Sequence, residues 1–203
     1  MNTKQLRQKI LDLAIRGKLV PQDPNDEPVN VLLEQIRVEK ERLMKEGKIK
    51  RSKDNNIATN ATDKSHYEQL PQGWSWCMVS NLARVSSSKR IYKDELSTSG
   101  IPFLKVADLI NRLDGVNTFS TFIKDEAYLS LQENGNVPIS GDILITSRGT
   151  LGACYIVKPR DEFYFQDGMI SWLSFFNSKA IESEYRTFNL SQFPSHHSPN
   201  NIA

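Results

Sequence analysis

Two short apolar runs flank a glycine-rich loop in the stretch Gly141-Asp-Ile-Leu-Ile-Thr-Ser-Arg-Gly-Thr-Leu-Gly-Ala-Cys-Tyr-Ile-Val157. Runs of this length, partly β-branched and with glycines between them, predict a β-hairpin with strands at Asp142–Thr146 and Ala153–Val157. The glycines suit a positive φ or a close approach of another backbone. Arg148 then lies near the hairpin tip. Either it is a solvated arginine on a plain hairpin, or its guanidinium binds a phosphate or a guanine edge.

The composition is that of a globular protein without a strong overall charge. The 203 residues have room for one substantial core, or for one domain with an accessory segment. The net charge is only +2, so a role in nucleic-acid binding must rest on local patches. Cys77 and Cys154 lie far apart beside apolar residues, which predicts buried thiols in a reducing compartment. No signal peptide or membrane-length apolar run is found, which favours a cytoplasmic protein.

The first 47 residues predict a helical arm. Apolar residues recur at helical spacing before Gly17, and a second helix follows Pro28 and runs to about Glu46. The two apolar stripes are Leu6, Ile10, Leu13 and Ala14 in the first helix, and Val29, Leu32, Leu33, Ile36, Leu43 and Met44 in the second. Residues 48–69 are basic and then polar without a period, which predicts a flexible linker. Its basic cluster is either a solvated tail or a nucleic-acid contact.

Residues 70–187 predict a globular α+β domain. Residues 70–76 form a turn and an entering strand, 100–107 a strand, 108–117 a loop with Arg112 exposed, and 124–131 a helix. Residues 163–165 and 169–176 are strand-like. Strands and helices without regular βαβ alternation favour a mixed α+β fold. Residues 188–203 have no periodicity, so we expect them to be disordered or a non-native tail, and the domain to be incomplete.

The sequence does not supply a catalytic constellation. It has no phosphate-binding Gly-Lys-Ser/Thr loop, no metal-ligand histidine pair and no nucleophile elbow. His66 lies at the end of the linker and the other two histidines lie in the tail, so none is a credible general base. We therefore predict a binding module with no catalytic residue, no metal and no cofactor.

Several blocks of the chain resemble the specificity (S) subunit of type I restriction–modification enzymes. The first block is Leu6-Arg-Gln-Lys-Ile-Leu-Asp-Leu-Ala-Ile-Arg-Gly-Lys-Leu-Val-Pro-Gln-Asp-Pro-Asn-Asp-Glu-Pro28 with the helix that follows it. Leu70-Pro-Gln-Gly-Trp-Ser-Trp76 resembles the entry to that subunit's target recognition domain. Ile101-Pro-Phe-Leu-Lys-Val-Ala-Asp-Leu109 and Gly141–Gly152 resemble its interior landmarks. The blocks occur in the family's order and span roughly residues 6–178.

The resemblance implies a mixed α/β target recognition domain with a twisted, largely antiparallel sheet, preceded by the helical arm. It implies recognition of double-stranded DNA at one half of a bipartite site, with no catalysis by this subunit. The implied partners are the methyltransferase subunits, the motor–nuclease subunit through the complex, and a second copy of the chain through its helices. An alternative is a truncated remnant that binds the methyltransferase subunit and reads no DNA.

A DNA reader needs cations for phosphates and hydrogen-bonding side chains for base edges, on loops held by a rigid sheet. The candidates in this sequence are Lys89, Arg90, Lys105, Arg112, Thr146, Ser147, Arg148 and Thr150. Lys105 has an alternative role as the outward residue of a half-buried strand. Gln166 could read adenine, or it could cap a turn.

Overall fold

The computed structural model describes residues 2–23, 25–49, 70–75 and 77–177. The chain divides into two compact units, Met1–Asn81 and Leu82–Ala203. The predicted division into 1–47, 48–69, 70–187 and 188–203 stays a prediction, because most of the linker and the whole tail lie outside the described residues. Trp76 also lies outside them. Residues 70–75 contain no strand, and they belong to the first unit.

The first unit contains the two predicted helices, α1 at Thr3–Ile15 and α2 at Val29–Lys45. Asn2 begins α1 with a capping box, because its side chain accepts from Gln5 N at 2.9 Å and Gln5 Oε1 accepts from Asn2 N at 3.1 Å. The predicted stripe of α2 is confirmed, since Ile36 is buried and the other five members are half-buried. Arg37 and Arg42 form ion pairs with glutamates one turn away on the exposed face of α2.

The predicted stripe of α1 is partly wrong. Leu6 and Ile10 are exposed, and Leu11 is the buried leucine. Just beyond the C-terminal end of α1, Gly17 packs against Pro71 and Trp74. Trp74 Nε1 also donates to Gln22 Oε1 at 2.8 Å. The sequence stripe missed this arrangement because Pro71 and Trp74 come from a distant part of the chain.

The second unit contains two four-stranded sheets. Its elements are β1 at Ala83–Ser86, a 3₁₀ turn at Lys93–Glu95, β2 at Leu96–Ser97, β3 at Ile101–Leu104, α4 at Val106–Leu113, β4 at Phe122–Ile123, α5 at Asp125–Glu133, β5 at Ile143–Thr146, β6 at Cys154–Ile156, β7 at Tyr164–Phe165 and β8 at Ile170–Phe175. A short helix, α3 at Val79–Leu82, precedes β1. The sheet orders are β1-β8-β5-β6 and β2-β4-β3-β7, and among the strands of the described residues only β3 and β7 pair in parallel. The predicted α+β fold with a largely antiparallel sheet is confirmed.

The β3–β7 pair lies between two apolar cores. Phe103 pairs with Tyr164, and both belong to one core cluster, while their successors Leu104 and Phe165 pair and belong to the other. This division follows from the strand period of two, which directs successive side chains to opposite faces. Phe165 packs edge-on against Trp172 of β8 at 6.1 Å, which connects the parallel pair to the first sheet's core.

The predicted hairpin is confirmed as β5 and β6, with Ile143 opposite Ile156 and Ile145 opposite Cys154. The predicted loop at 108–117 is wrong over its first half, because α4 runs through it. Val106, Leu109, Ile110 and Leu113 recur at helical spacing, Leu109 is fully buried, and Lys105 N donates to Asp108 Oδ2 at 2.9 Å across the first turn.

Lys105 and the two cysteines lie in other surroundings than the sequence predicts. The 100–107 strand ends at Leu104, so Lys105 precedes a helix and is not the outward residue of a strand. The prediction of two buried thiols is wrong, because Cys77 is exposed and Cys154 is half-buried. Among the described helices, none combines the length and the apolar character that a membrane crossing requires.

Substituting Gly17 tests the packing at the end of α1. Gly17 and Gly47 both follow a helix with positive φ, 61° and 71°. A β-carbon on Gly17 would lie 2.5 Å from Pro71 Cγ, whereas one on Gly47 would meet no atom within 4 Å. Gly47→Ala should therefore cost about 1 kcal/mol from backbone strain alone. Gly17→Ala should cost about 1–3 kcal/mol more because it also overpacks the contact.

Urea unfolding of the two variants, followed by tryptophan fluorescence, measures this difference. Equal losses of stability in the two variants would contradict the close packing of Gly17 against Pro71.

Candidate nucleic-acid interface

The ends of four strands meet at one edge of the second unit. β1 and β5 lie on either side of β8, and their last residues, Ser86 and Thr146, pair with Trp172 and Ile170 near the start of β8. β3 and β7 are parallel and therefore end together, where Gln166 N donates to Leu104 O at 2.9 Å. We call the residues that follow these strands the strand-end surface: 87–90, 105, 147–150 and 166–169.

The hairpin tip is held to the turn between β7 and β8. Met169 O accepts from Ser147 N at 2.9 Å and from Arg148 N at 3.3 Å, and Ser147 Oγ lies 3.3 Å from the same oxygen. A β-carbon on Gly149 would lie 3.8 Å from Val106 Cγ1, so the tip also lies beside the first turn of α4. The tip is therefore supported from two directions.

The serine run after β1 is held to the same turn. Ser87 Oγ lies 3.2 Å from Ile170 O and accepts from Gly168 N at 3.0 Å. Lys89 N donates to the hydroxyl of Tyr164 at 2.7 Å. Burial raises the pKa of Tyr164 to about 12, so this phenol stays protonated at neutral pH. The backbone that presents Lys89 and Arg90 is thus bonded to a buried strand.

The strand-end surface carries four cations, Lys89, Arg90, Lys105 and Arg148, against one carboxylate, Asp167. Arg90 Nε donates to Asp167 Oδ2 at 3.0 Å. Lys105 Nζ donates to Thr121 Oγ1 at 3.0 Å. Within the described part of the chain no carboxylate forms an ion pair with Arg148, which is exposed at the tip. A local positive patch therefore exists in a chain whose net charge is small.

The other polar candidates differ in their availability. Ser147 and Thr150 are exposed, and Ser147 Oγ also lies 2.9 Å from Ser171 Oγ. The half-buried Gln166 lies beside Lys105, because β7 and β3 end together. Sequence reasoning did not single out Asp167, the acidic member of this surface. Its only sequence signal is the turn-forming Asp-Gly pair at 167–168.

Thr146 does not belong to the exposed part of the tip. Its side chain is buried, and its hydroxyl Oγ1 accepts from Ala153 N at 2.9 Å. This bond closes the hairpin between the last residue of β5 and the residue before β6. The prediction that Thr146 is available to a ligand is therefore wrong, because its buried hydroxyl already accepts a hydrogen bond from the backbone of Ala153.

Arg112 lies away from the strand-end surface, and the prediction that it is exposed is wrong. It occupies the last turn of α4, about 10 Å along the helix from Lys105. Its guanidinium donates to Asp161 Oδ1 at 2.6 Å and to the Tyr155 hydroxyl at 2.8 Å, and its side chain is 14% exposed. It also lies 5.1 Å from the centre of the Phe163 ring. This arginine fastens α4 to β6 and the turn after it.

Asp142 is a buried carboxylate at the far end of β5. It accepts from Trp172 Nε1 at 2.8 Å and from Ile139 N at 3.0 Å. Burial raises the pKa of Asp142 above its ordinary value, although these donors and the charge of Arg84 act in the opposite direction.

The described residues hold no group of three or more His, Cys, Asp or Glu side chains arranged to bind a metal ion.

Comparison with known proteins identifies two whose sequences are similar to part of this chain. No protein-family model matches the chain. It is 42% identical over 114 residues to the EcoEI specificity subunit of the type I restriction enzyme from Escherichia coli, covering 56% of this chain and 18% of that protein. It is 40% identical over 116 residues to the EcoAI specificity subunit of the same organism, covering 57% of this chain and 19% of that protein. The chain is therefore similar to type I specificity subunits over a little more than half of its own length.

The resemblance predicted from the sequence is thereby confirmed. The chain spans less than a fifth of the length of these two specificity subunits. A solved structure, the HsdS subunit from Thermoanaerobacter tengcongensis, is similar to 93% of this chain and 40% of that one, with 16% sequence identity and a TM-score of 0.43.

Replacing Thr146 tests its role in closing the hairpin. Thr146→Val keeps the shape but leaves the Ala153 N–H without its acceptor, which should cost about 1–3 kcal/mol of unfolding free energy. Ser88→Ala is the matched control: the Ser88 hydroxyl is buried without a hydrogen-bond partner among the described residues, so its removal leaves no group unpaired.

Thermal unfolding compares the two variants with the parent chain. We expect a lower midpoint for Thr146→Val and no loss for Ser88→Ala. A Thr146→Val variant as stable as the parent would show that the hydroxyl does not close the hairpin.

Proposed function

We propose that the chain recognises double-stranded DNA as part of a type I specificity subunit, reading one half of a bipartite site with no catalysis of its own. The observation that carries the proposal is the strand-end surface. It gathers four cations and several hydrogen-bonding groups on loops that are bonded to a buried sheet. Its chemistry suits phosphate contacts at the rim and base-edge contacts in the groove.

Arg148 and Lys89 suit phosphates, because both are exposed cations on supported loops. Ser147, Thr150 and Gln166 offer short polar side chains that can donate to or accept from a base edge. Lys105 lies beside them at the start of α4 and adds to the positive charge. Thr146 and Arg112 are left out of the proposed contacts because their polar atoms are already bonded within the protein.

We assign the helical arm, α1 and α2, to partner binding. In this role it would dock the methyltransferase subunits, with the motor–nuclease subunit joining through the complex, or pair with a second copy of the chain. A second candidate function rests on the same arm: a module that binds the methyltransferase subunit and reads no DNA. It is favoured by apolar side chains that the arm leaves exposed, namely Leu6, Ile10, Val31 and Val38.

Selection from a randomised duplex library tests the proposal, with the full chain alone and with a type I methyltransferase subunit. We expect a consensus sequence, strongest with the methyltransferase subunit present, and an affinity that falls steeply with salt. Arg148→Ala should weaken binding to all sequences evenly. It should also reduce the slope of log affinity against log salt by about one, because one phosphate contact is lost.

Lys158→Ala is the control for Arg148→Ala. Lys158 is exposed beyond the end of β6, at the opposite end of the hairpin from its tip. Removing its charge should leave the salt slope unchanged. A complex that forms with the methyltransferase subunit but selects no consensus would exclude DNA reading and support the second candidate.

A further inference from the structure

We propose that Arg90 reads a guanine in the major groove and that Asp167 is the positioning residue that holds its guanidinium for this contact. The inference rests on the proposed function and deepens it, because it names one base of the target and the side chain that reads it. Sequence reasoning grouped Arg90 with the other cations, and the ion pair with Asp167 distinguishes it from them.

The geometry of the ion pair leaves the reading face of Arg90 available. The bond to Asp167 uses Nε, at 3.0 Å from Oδ2, which engages one of the five N–H groups of the guanidinium. The four N–H groups on the two terminal nitrogens form no hydrogen bond to another described residue. The Arg90 side chain is 68% exposed, whereas that of Asp167 is 26% exposed. The carboxylate therefore holds the inner edge of a guanidinium whose outer edge faces solvent.

Both partners are attached to backbone that the fold holds in place. Asp167 lies in the turn between β7 and β8, where the flanking residues Gln166 and Gly168 donate to Leu104 O and Ser87 Oγ. Arg90 follows Lys89, whose N–H is bound to the buried Tyr164. The bond at Nε restricts the side chain in part before it binds, which favours pre-organisation of the contact.

The acceptor that best fits this arrangement is a guanine edge. Guanine presents O6 and N7 side by side in the major groove, and they accept two N–H groups of one guanidinium. A phosphate is a poorer fit, because the negative charge of Asp167 would repel it. Arg148 differs from Arg90, since no described carboxylate forms an ion pair with it and none would repel a phosphate from it. We therefore assign Arg148 to a phosphate and Arg90 to a base.

Three variants in the duplex selection test the assignment. Arg90→Lys keeps the charge and removes the planar fork. We expect the preference for one G·C pair of the consensus to fall by about tenfold or more, with the other positions and the salt slope unchanged. Asp167→Asn should weaken the preference at the same pair while raising affinity for non-cognate duplex, because a negative charge is removed. Asp114→Asn, at an exposed residue after α4, should do neither.

A modified duplex gives a second readout that does not depend on a change in the protein. Replacing the guanine at that pair with 7-deazaguanine removes the N7 acceptor. It should weaken binding by the parent chain but not further weaken binding by Arg90→Lys. If the ion pair only stabilises the fold, Arg90→Lys should lower the affinity for the guanine duplex and for the 7-deazaguanine duplex by the same factor.

The outcomes separate this inference from the proposed function. If the parent chain selects no consensus, DNA reading fails and the assignment of Arg90 fails with it. If the parent selects a consensus but Arg90→Lys keeps every position, or weakens all sequences evenly, Arg90 does not read a base. The inference is then overturned while the proposed function stands. Thermal unfolding of each variant confirms that it is folded before its selectivity is measured.

Discussion

The parallel pairing of β3 with β7 is the constraint on which the rest of the second unit depends. Because these strands run in the same direction, α4 and the turn from β7 to β8 begin side by side at one edge. The register cannot slip by one residue, because Tyr164 and Phe165 would exchange the two cores that they fill. The same turn then binds the hairpin tip, through Met169 O as acceptor, and the serine run, through Gly168 N as donor.

Sequence reasoning predicted the local elements well and the long-range pairing not at all. The β5–β6 hairpin, β7, β8 and α5 are visible as short periodic runs bounded by turn residues. Sequence reasoning predicts a loop at 108–117 and so misses helix α4, although Val106, Leu109, Ile110 and Leu113 carry the helical spacing. The meeting of Gln166 with Leu104 joins segments far apart in the chain, and no local pattern encodes it.

The candidate site shows the same limit at the level of side chains. Thr146, Arg112 and Arg148 are all polar residues near strand or helix ends, and composition gives them equal standing. The fold separates them: Thr146 bonds the opposite strand, Arg112 bonds Asp161 and Tyr155, and Arg148 remains exposed. Whether a polar group is satisfied internally or offered to a ligand depends on tertiary partners, which a single sequence does not reveal.

The central claim is that residues 87–90, 105, 147–150 and 166–169 act as one DNA-binding surface. Hydrogen exchange of the full chain, with and without its selected duplex, tests the claim most directly. The account predicts that the duplex slows exchange in peptides covering these four segments together, and leaves the peptides of α2 and of the turn at 158–161 unchanged. Slower exchange confined to α2 or to the 158–161 turn, with the four segments unaffected, would contradict it.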